Sequence, residues 1–242
     1  MQHADLAADQ LPQINVELDV LTSLADLDHL NILEIGCGSA RLARQLLVRY
    51  PACRVTGIEV DAVQHEKNLS HPQTGLQFLQ ASAAQLPFDA DSFDMAMMLK
   101  SLHHVPLNSM DRALNEVARV LRPGGLFYVS EPIYAGALNH IVRLYNDEGV
   151  VREAAQAAIN RALTHTHIWE QVAEQRFSQA VHFADFAAFE TRMLYPSFAD
   201  HHIDATLLDQ IRHAFMPHCG ADGAHFVRPM HVRLLRLKGP PR

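Results

Sequence analysis

Cysteine is scarce in this 242-residue chain: Cys37, Cys53 and Cys219 are all it has, and no two of them form a C-x-x-C pair. An odd number without that spacing argues against a disulfide framework and a zinc ribbon, so the three are read as reduced thiols. Long apolar runs are missing as well. No stretch approaches the ~18 consecutive apolar residues of a membrane-spanning helix, and the start Met1-Gln2-His3-Ala4-Asp5 has neither a basic nor an apolar leader region. A cytoplasmic protein without membrane contact is expected. Basic charge is in deficit, with 20 Lys+Arg against 27 Asp+Glu and a net charge of −7. The deficit falls wholly in the first 132 residues, which hold 9 basic and 16 acidic residues. That disfavours a nucleic-acid backbone as partner.

What the chain does have is apolar residues, 48% of the total, enough to bury the core of one elaborated domain or two small ones. Histidine is also plentiful, 16 in all with ten from His140 onward. The pairs His103-His104, His165-x-His167, His201-His202 and His218-Cys219 do not follow the usual ligand spacings, so no metal site is expected.

From 31 to 132, short β-branched or apolar runs alternate with longer helical patterns, the signature of a parallel sheet wound with helices. Strands are predicted at Asn31–Ile35, Arg54–Val60, Leu76–Gln80, Phe93–Leu99 and Leu126–Ser130, the fourth apolar enough to be buried on both faces. Helices are predicted at Ser39–Tyr50, Ala62–Ser70 and Ser109–Leu121. The last carries Leu114, Val117, Ala118 and Leu121 as a stripe, and Arg122-Pro123-Gly124-Gly125 is expected to end it with a left-handed glycine cap. A leading helix, Val16 to Leu27, belongs to an N-terminal extension over 1–30. After Pro132 the pattern turns helical and Ala-rich from Leu138 to about Gln175, which defines a cap over 133–180 inserted after strand five. Its apolar residues Ile141, Leu144, Tyr145, Val150, Val151 and Trp169 suit a lid, a homodimer contact or ordinary helix packing. The remainder, 181–242, is expected to be helical near Phe183–Met193 and Ala205–Phe215, with a late strand over Val227–Lys238. The basic residues of that strand read as a solvated face, since 133–242 balances at 11 basic and 11 acidic.

The chemistry is expected where the first strand turns into the first helix. In Glu34-Ile35-Gly36-Cys37-Gly38-Ser39-Ala40 the glycines let a ligand approach the backbone beneath a helix N-terminus. The third glycine of a dinucleotide pattern is missing, Arg41 standing in its place, which handicaps a pyrophosphate reading. The acids Glu34, before the glycines, and Glu59, at the end of the next strand, discriminate further. A carboxylate at the latter position suits a ribose diol.

These segments together resemble the class I S-adenosylmethionine-dependent methyltransferases. The first motif is matched by Leu33–Ala40, the second by Val55–Val60 and the third by Ala81–Phe88. The fourth runs from Asp91-Ser92-Phe93-Asp94 to Leu102-His103-His104-Val105, and Leu114 to Gly125 resembles the helix and turn before strand five. The match covers about 31–132. It implies a doubly wound, mostly parallel seven-stranded sheet of Rossmann-like type with S-adenosyl-L-methionine as cofactor. Gly36, Cys37, Gly38 and Ala40 would line its methionine part together with Glu34, while Glu59 would bind the ribose hydroxyls. Val60 would pack on the adenine, Ser82 and Ala83 would border its edge, and Met98 and Leu99 complete the cofactor-lining set. Ser82 stands where the family usually has an aspartate, which implies weaker cofactor affinity.

A small organic acceptor, methylated on oxygen, nitrogen or carbon, is the expected substrate. A tRNA or protein methyltransferase and a non-catalytic cofactor-binding protein are the alternatives. No Asn-Pro-Pro-Tyr or Asp-Pro-Pro-Tyr segment follows strand four, against base-amino methylation. For a hydroxyl acceptor, His103 or His104 would serve as general base at the correct sheet edge, and Glu131 and Tyr134 after strand five face the expected substrate mouth.

Overall fold

The computed structural model describes residues 10–195 and 200–239; the start of the N-terminal extension lies outside them. Two compact units emerge. The first comprises Glu17–Glu131, Val151–Gln175 and the chain from His231; the second comprises the chain up to Val16, Pro132–Val150 and Arg176–Met230.

In the first unit the elements follow in the order α1 (Glu17–Leu24), β1 (Asn31–Ile35), α2 (Arg41–Arg49), β2 (Arg54–Glu59), α3 (Ala62–Leu69), β3 (Leu76–Gln80), β4 (Phe93–Leu99), α4 (Met110–Val120) and β5 (Leu121–Pro132). Later in the chain come α5 (Ala137–Val142), α6 (Gly149–His165), β6 (Trp169–Phe183), α7 (Phe186–Phe189), α8 (Ala205–Phe215), β7 (Cys219–Gly220) and β8 (Gly223–Leu237). The strand order is β3-β2-β1-β4-β5-β8-β6, with β7 beside β8. The pairs β1/β2, β1/β4, β2/β3 and β4/β5 are parallel. This is the doubly wound, Rossmann-like sheet expected, seven strands along its main path.

Burial explains why these segments take these forms. In β4, Met95, Ala96, Met97 and Met98 are all at most 1% exposed, so neither face meets water and an uninterrupted apolar run is required. On α4, Met110, Ala113, Leu114, Val117 and Val120 form the buried stripe. They join one apolar cluster with Leu33 and Ile35 of β1, Phe127 of β5, and Ala155, Ala158, Ile159 and Ala162 of α6. The small alanines of α6 are thus the face by which it packs onto the sheet unit.

Three segments differ from the sequence expectation. Helix α4 ends at Val120 because Leu121 is already extended at φ −80°, ψ 140°. Gly124 does adopt a left-handed φ of +85°, but within a bulge of β5, where the β4 register jumps from Phe93↔Leu121 to Met95↔Leu126. The helix predicted to continue to Gln175 stops at His165, and Trp169 begins the 15-residue strand β6. Glu, Gln and Ala in Trp169-Glu-Gln-Val-Ala-Glu-Gln favour a helix locally, but neighbouring β8 supplies backbone partners that outweigh this preference. The helix expected from Phe183 is shortened for the same reason: β6 runs to Phe183, followed by α7 and a π turn at Glu190–Leu194.

The second unit has its own core, with Leu138, Ile141, Phe183, Phe186, Phe189, Phe215 and Phe226 all buried. Asp185 and Asp204 cap the short helices α7 and α8, accepting from the amides of Ala188 and Leu207, both at 2.8 Å.

Candidate functional site

The strand order reverses direction between β1 and β4, and in open parallel sheets of this kind the crevice beyond such strand ends is where ligands bind. Two loops meet there. Ser101, just after β4, donates through its Oγ to the carbonyl of Ile35 at 2.8 Å, while the amides of Gly36 and Cys37 both donate to Ile58 O at 2.9 and 3.0 Å. The glycine turn is therefore stitched to both neighbouring strands.

Its glycines serve different ends. Gly36 has φ +67°, and a Cβ there would lie 2.7 Å from that of Ser101, so this glycine allows the two loops to meet. Gly38 has φ +52° with nothing within 4 Å of the Cβ position, which leaves room above it. Ala40 takes the same left-handed conformation, φ 54°, at the N-cap of α2, a strain a third glycine would avoid. Gly36→Ala combines positive φ with a clash against the Ser101 side chain at its Cβ, so a loss of about 2–4 kcal/mol is expected as a lower urea midpoint. An unchanged midpoint would mean that the Ser101 loop yields easily.

Glu59 organises this turn. Its Oε2 accepts from the Gly38 amide at 2.8 Å, and its Oε1 from the amides of Val60 and Asp61 at 2.9 and 3.2 Å. Three of roughly four carboxylate acceptor positions are thereby used; the half-buried group can still take a hydroxyl donor. Val60 beside it is 64% exposed. Asn68 of α3 donates to Gly38 O at 2.7 Å and stands 3.7 Å from Cys37 Sγ. Burial pushes the Cys37 thiol well up, with Glu34 next in effect, so it is no nucleophile at neutral pH. Ser82 is exposed, its Oγ accepting from the Ala84 amide at 3.3 Å, whereas Ala83 is 8% exposed. Met98 is buried in the apolar cluster and Leu99 half-buried.

Glu34 lies beneath the turn, 3% exposed. Its Oε2 has no hydrogen-bond partner. Burial pushes its carboxyl up to about 8; Glu17 and Glu59 act in the same direction, the Ala43 backbone and Lys100 against it. At neutral pH it is mainly a neutral acid. Two neighbours of this group escaped the sequence reading: Glu17 is buried at the start of α1 and pairs with Lys100 at 3.2 Å. The only signal was an acid beginning an apolar helix, which reads equally well as a helix-terminus charge.

Further along the same edge, His103 and Glu131 form a buried pair through Nδ1 and Oε2, at 4% and 1% exposure. The other Glu131 oxygen accepts from the Leu102 amide at 2.9 Å, which fixes the carboxylate. His104 is exposed and its ring is tilted by 42° against that of His103, centroids 4.1 Å apart. Tyr134 belongs to the second unit, where its hydroxyl donates to Asp147 at 2.5 Å and Arg143 lies 5.6 Å over its ring.

Residues 33–129 match the family described as "Methyltransferase domain". A fatty-acid O-methyltransferase of Mycolicibacterium smegmatis is 34% identical over 127 residues, covering 51% of this chain and 45% of that protein. A phthiotriol/phenolphthiotriol dimycocerosates methyltransferase of Mycobacterium tuberculosis is 35% identical over 103 residues, covering 42% and 37%. The chain thus spans less than half of each of these relatives. The YcgJ protein of Bacillus subtilis shares the fold, at a TM-score of 0.62 and 20% identity over 93% of this chain and 98% of that one. Residues 33–129 are thus similar to methyltransferase domains. The open space above Gly38 and the remaining acceptor capacity of Glu59 would fit the adenosyl group of S-adenosylmethionine, the cofactor that the sequence resemblance implies. No helix among the described residues is long and apolar enough to cross a membrane.

Proposed function

We propose that this protein transfers a methyl group from S-adenosylmethionine to a small organic acceptor, with an oxygen acceptor favoured. The observation that carries the reading is the Gly36–Gly38 turn bound to Glu59 at the reversal of strand order. Within it, Gly36, Cys37, Gly38 and Ala40 would surround the methionyl part, with Glu34 below. Glu59 would take a ribose hydroxyl, Val60 would cover one adenine face, Ser82 and Ala83 would border its edge, and Met98 and Leu99 would floor the site. The bound cofactor supplies a methyl group activated by sulfonium, so the chain's own task is approach geometry and exclusion of water.

Oxygen is favoured by the His103–Glu131 pair. A carboxylate fixed by the Leu102 amide holds the Nδ1 proton, setting the tautomer in which Nε2 accepts a proton from an acceptor hydroxyl. His104, its ring tilted against that of His103, would assist in placing the acceptor, and Tyr134 is a separate candidate for contact with it. Relatives named for fatty-acid and dimycocerosate methylation point to an apolar acceptor. The excess of acid over base in the first 132 residues, 16 against 9, supports a small molecule over a nucleic acid. A cytoplasmic location, the 31–132 core with its flanking segments, and a lid or homodimer role for the helical region after Pro132 belong to the same proposal.

The test is release of S-adenosylhomocysteine with a panel of fatty acids, sterols, phenols and amines. Glu131→Gln turns an amide donor toward His103 Nδ1 and reverses the tautomer, so turnover is expected to fall ~100-fold with cofactor affinity nearly unchanged. Full turnover in that variant would remove the pair from the chemistry. Cofactor binding without turnover on any acceptor would favour a non-catalytic role.

A further inference from the structure

The loop from Ala81 to Phe88, which carries Ser82 and Ala83, is held at both ends. At one end the Ala81 amide donates to the carbonyl of Glu59 at 3.1 Å. Between them, Ser82 and Gln85 close a tight turn, the Gln85 amide donating to Ser82 O at 3.1 Å. At the other end two side chains of α4 take hold. Glu116 Oε2 accepts from the Leu86 amide at 2.9 Å. Arg119 donates to Phe88 O at 2.8 Å and to Leu86 O at 3.0 Å, while its Nε and Nη2 hold Glu116 at 2.7 and 2.8 Å.

The pair does more than a surface ion pair does. Exposed pairs contribute little to stability, and Arg119 and Glu116 are 38% and 20% exposed. Here, however, the guanidinium fork is directed at two backbone carbonyls and the carboxylate at a backbone amide, an arrangement a point charge cannot reproduce. The hydrogen bonds from Arg119 hold the Glu116 carboxyl below its usual range, so it remains an acceptor. Beyond Leu86, 4% exposed, Phe88 meets Phe93 edge-on with centroids 4.9 Å apart, so the clamped end is anchored in the core.

Resting on the adenosyl reading above, we infer that Glu116 and Arg119 are positioning residues for base recognition. A carboxylate at position 82 would read the adenine amino group by its charge wherever the loop lay within a few tenths of an ångström. A neutral, short hydroxyl already engaged with the Ala84 amide cannot. Selectivity for adenine then depends on where the 82–84 backbone is held, and α4 holds it.

The experiment measures calorimetric affinities of the full chain for S-adenosylhomocysteine and S-inosylhomocysteine, in which an oxo group replaces the adenine amino group. The wild type is expected to prefer the adenine form. Arg119→Lys, which keeps the charge but loses the fork, and Glu116→Gln, which keeps an acceptor for Leu86, should each narrow that preference by roughly 5- to 10-fold in a folded chain. Ser82→Asp should raise the preference in the wild type and, because its charge tolerates a small loop displacement, raise it at least as much beside Arg119→Lys. An unchanged preference in both variants, or equal loss for both ligands, would make the clamp merely structural and overturn the inference. A gain from Ser82→Asp that shrinks beside Arg119→Lys would do the same. Absence of any binding to the wild type would overturn the cofactor reading itself.

Discussion

Glu59→Ala is expected to weaken S-adenosylmethionine binding by two to three orders of magnitude, measured by calorimetric titration. A hydrogen bond to a charged group contributes ~1.5–3 kcal/mol, and this carboxylate is the group proposed to take the ribose. It also holds the amides of Gly38, Val60 and Asp61 in place before any ligand arrives, so the substitution removes both a contact and the shape of its surroundings. Glu59→Gln is expected to be nearly as damaging. One end of the amide is a donor, and whichever way it is turned it meets a backbone N–H that needs an acceptor. Retention of affinity within about 3-fold in either variant would relocate the cofactor site.

The second large effect concerns stability. Burial raises the Glu34 carboxyl to about 8 from an ordinary 4.5. The native chain therefore keeps a proton that the unfolded chain gives up as pH rises through 4.5. Stability tied to this group is fully present below that value, declines between pH 4.5 and 8, and levels off once the native carboxyl also ionises. At about 1.4 kcal/mol per pH unit for one proton, the loss amounts to several kcal/mol. Glu34→Gln keeps the shape and cannot ionise, so its unfolding free energy should be nearly flat over that window and about 2–4 kcal/mol above the wild type at pH 8.5. Urea titrations at pH 5, 7 and 8.5 on both proteins read the effect directly. Parallel pH profiles would show that Glu34 is ionised in the native state and has a partner there.

Much of the fold was readable because its signals are local. The runs Leu76–Gln80 and Phe93–Leu99 have the predicted limits, and α3 ends within one residue of its predicted end. The apolar run of β4 records burial on both faces, and burial of that kind leaves few alternatives, whereas the half-exposed β3 was marked by its local alternation alone. The segment Trp169–Phe183 was misread because its residues favour a helix, and pairing beside β8, more than 40 residues later, decides otherwise.

The candidate site divides along the same line. Gly36, Gly38 and Glu59 could be picked out from spacing alone, because a tight turn between a strand and a helix limits the residues that fit. That Gly36 exists to admit Ser101, 65 positions away, could not. Nor could the sequence show that Arg119 reaches back to Leu86 and Phe88.

By itself the sequence determined an alternating β/α chain and a glycine turn after its first strand, since each is set by residues within a few positions of one another; the cofactor class is implied by the resemblance of motifs spread over 31–132. Only the tertiary structure decided that Glu34 is a buried neutral acid and that His103 is oriented by Glu131. Ionisation and proton transfer depend on what surrounds a side chain in space. That environment is assembled from distant strands, which residue order alone does not bring into register.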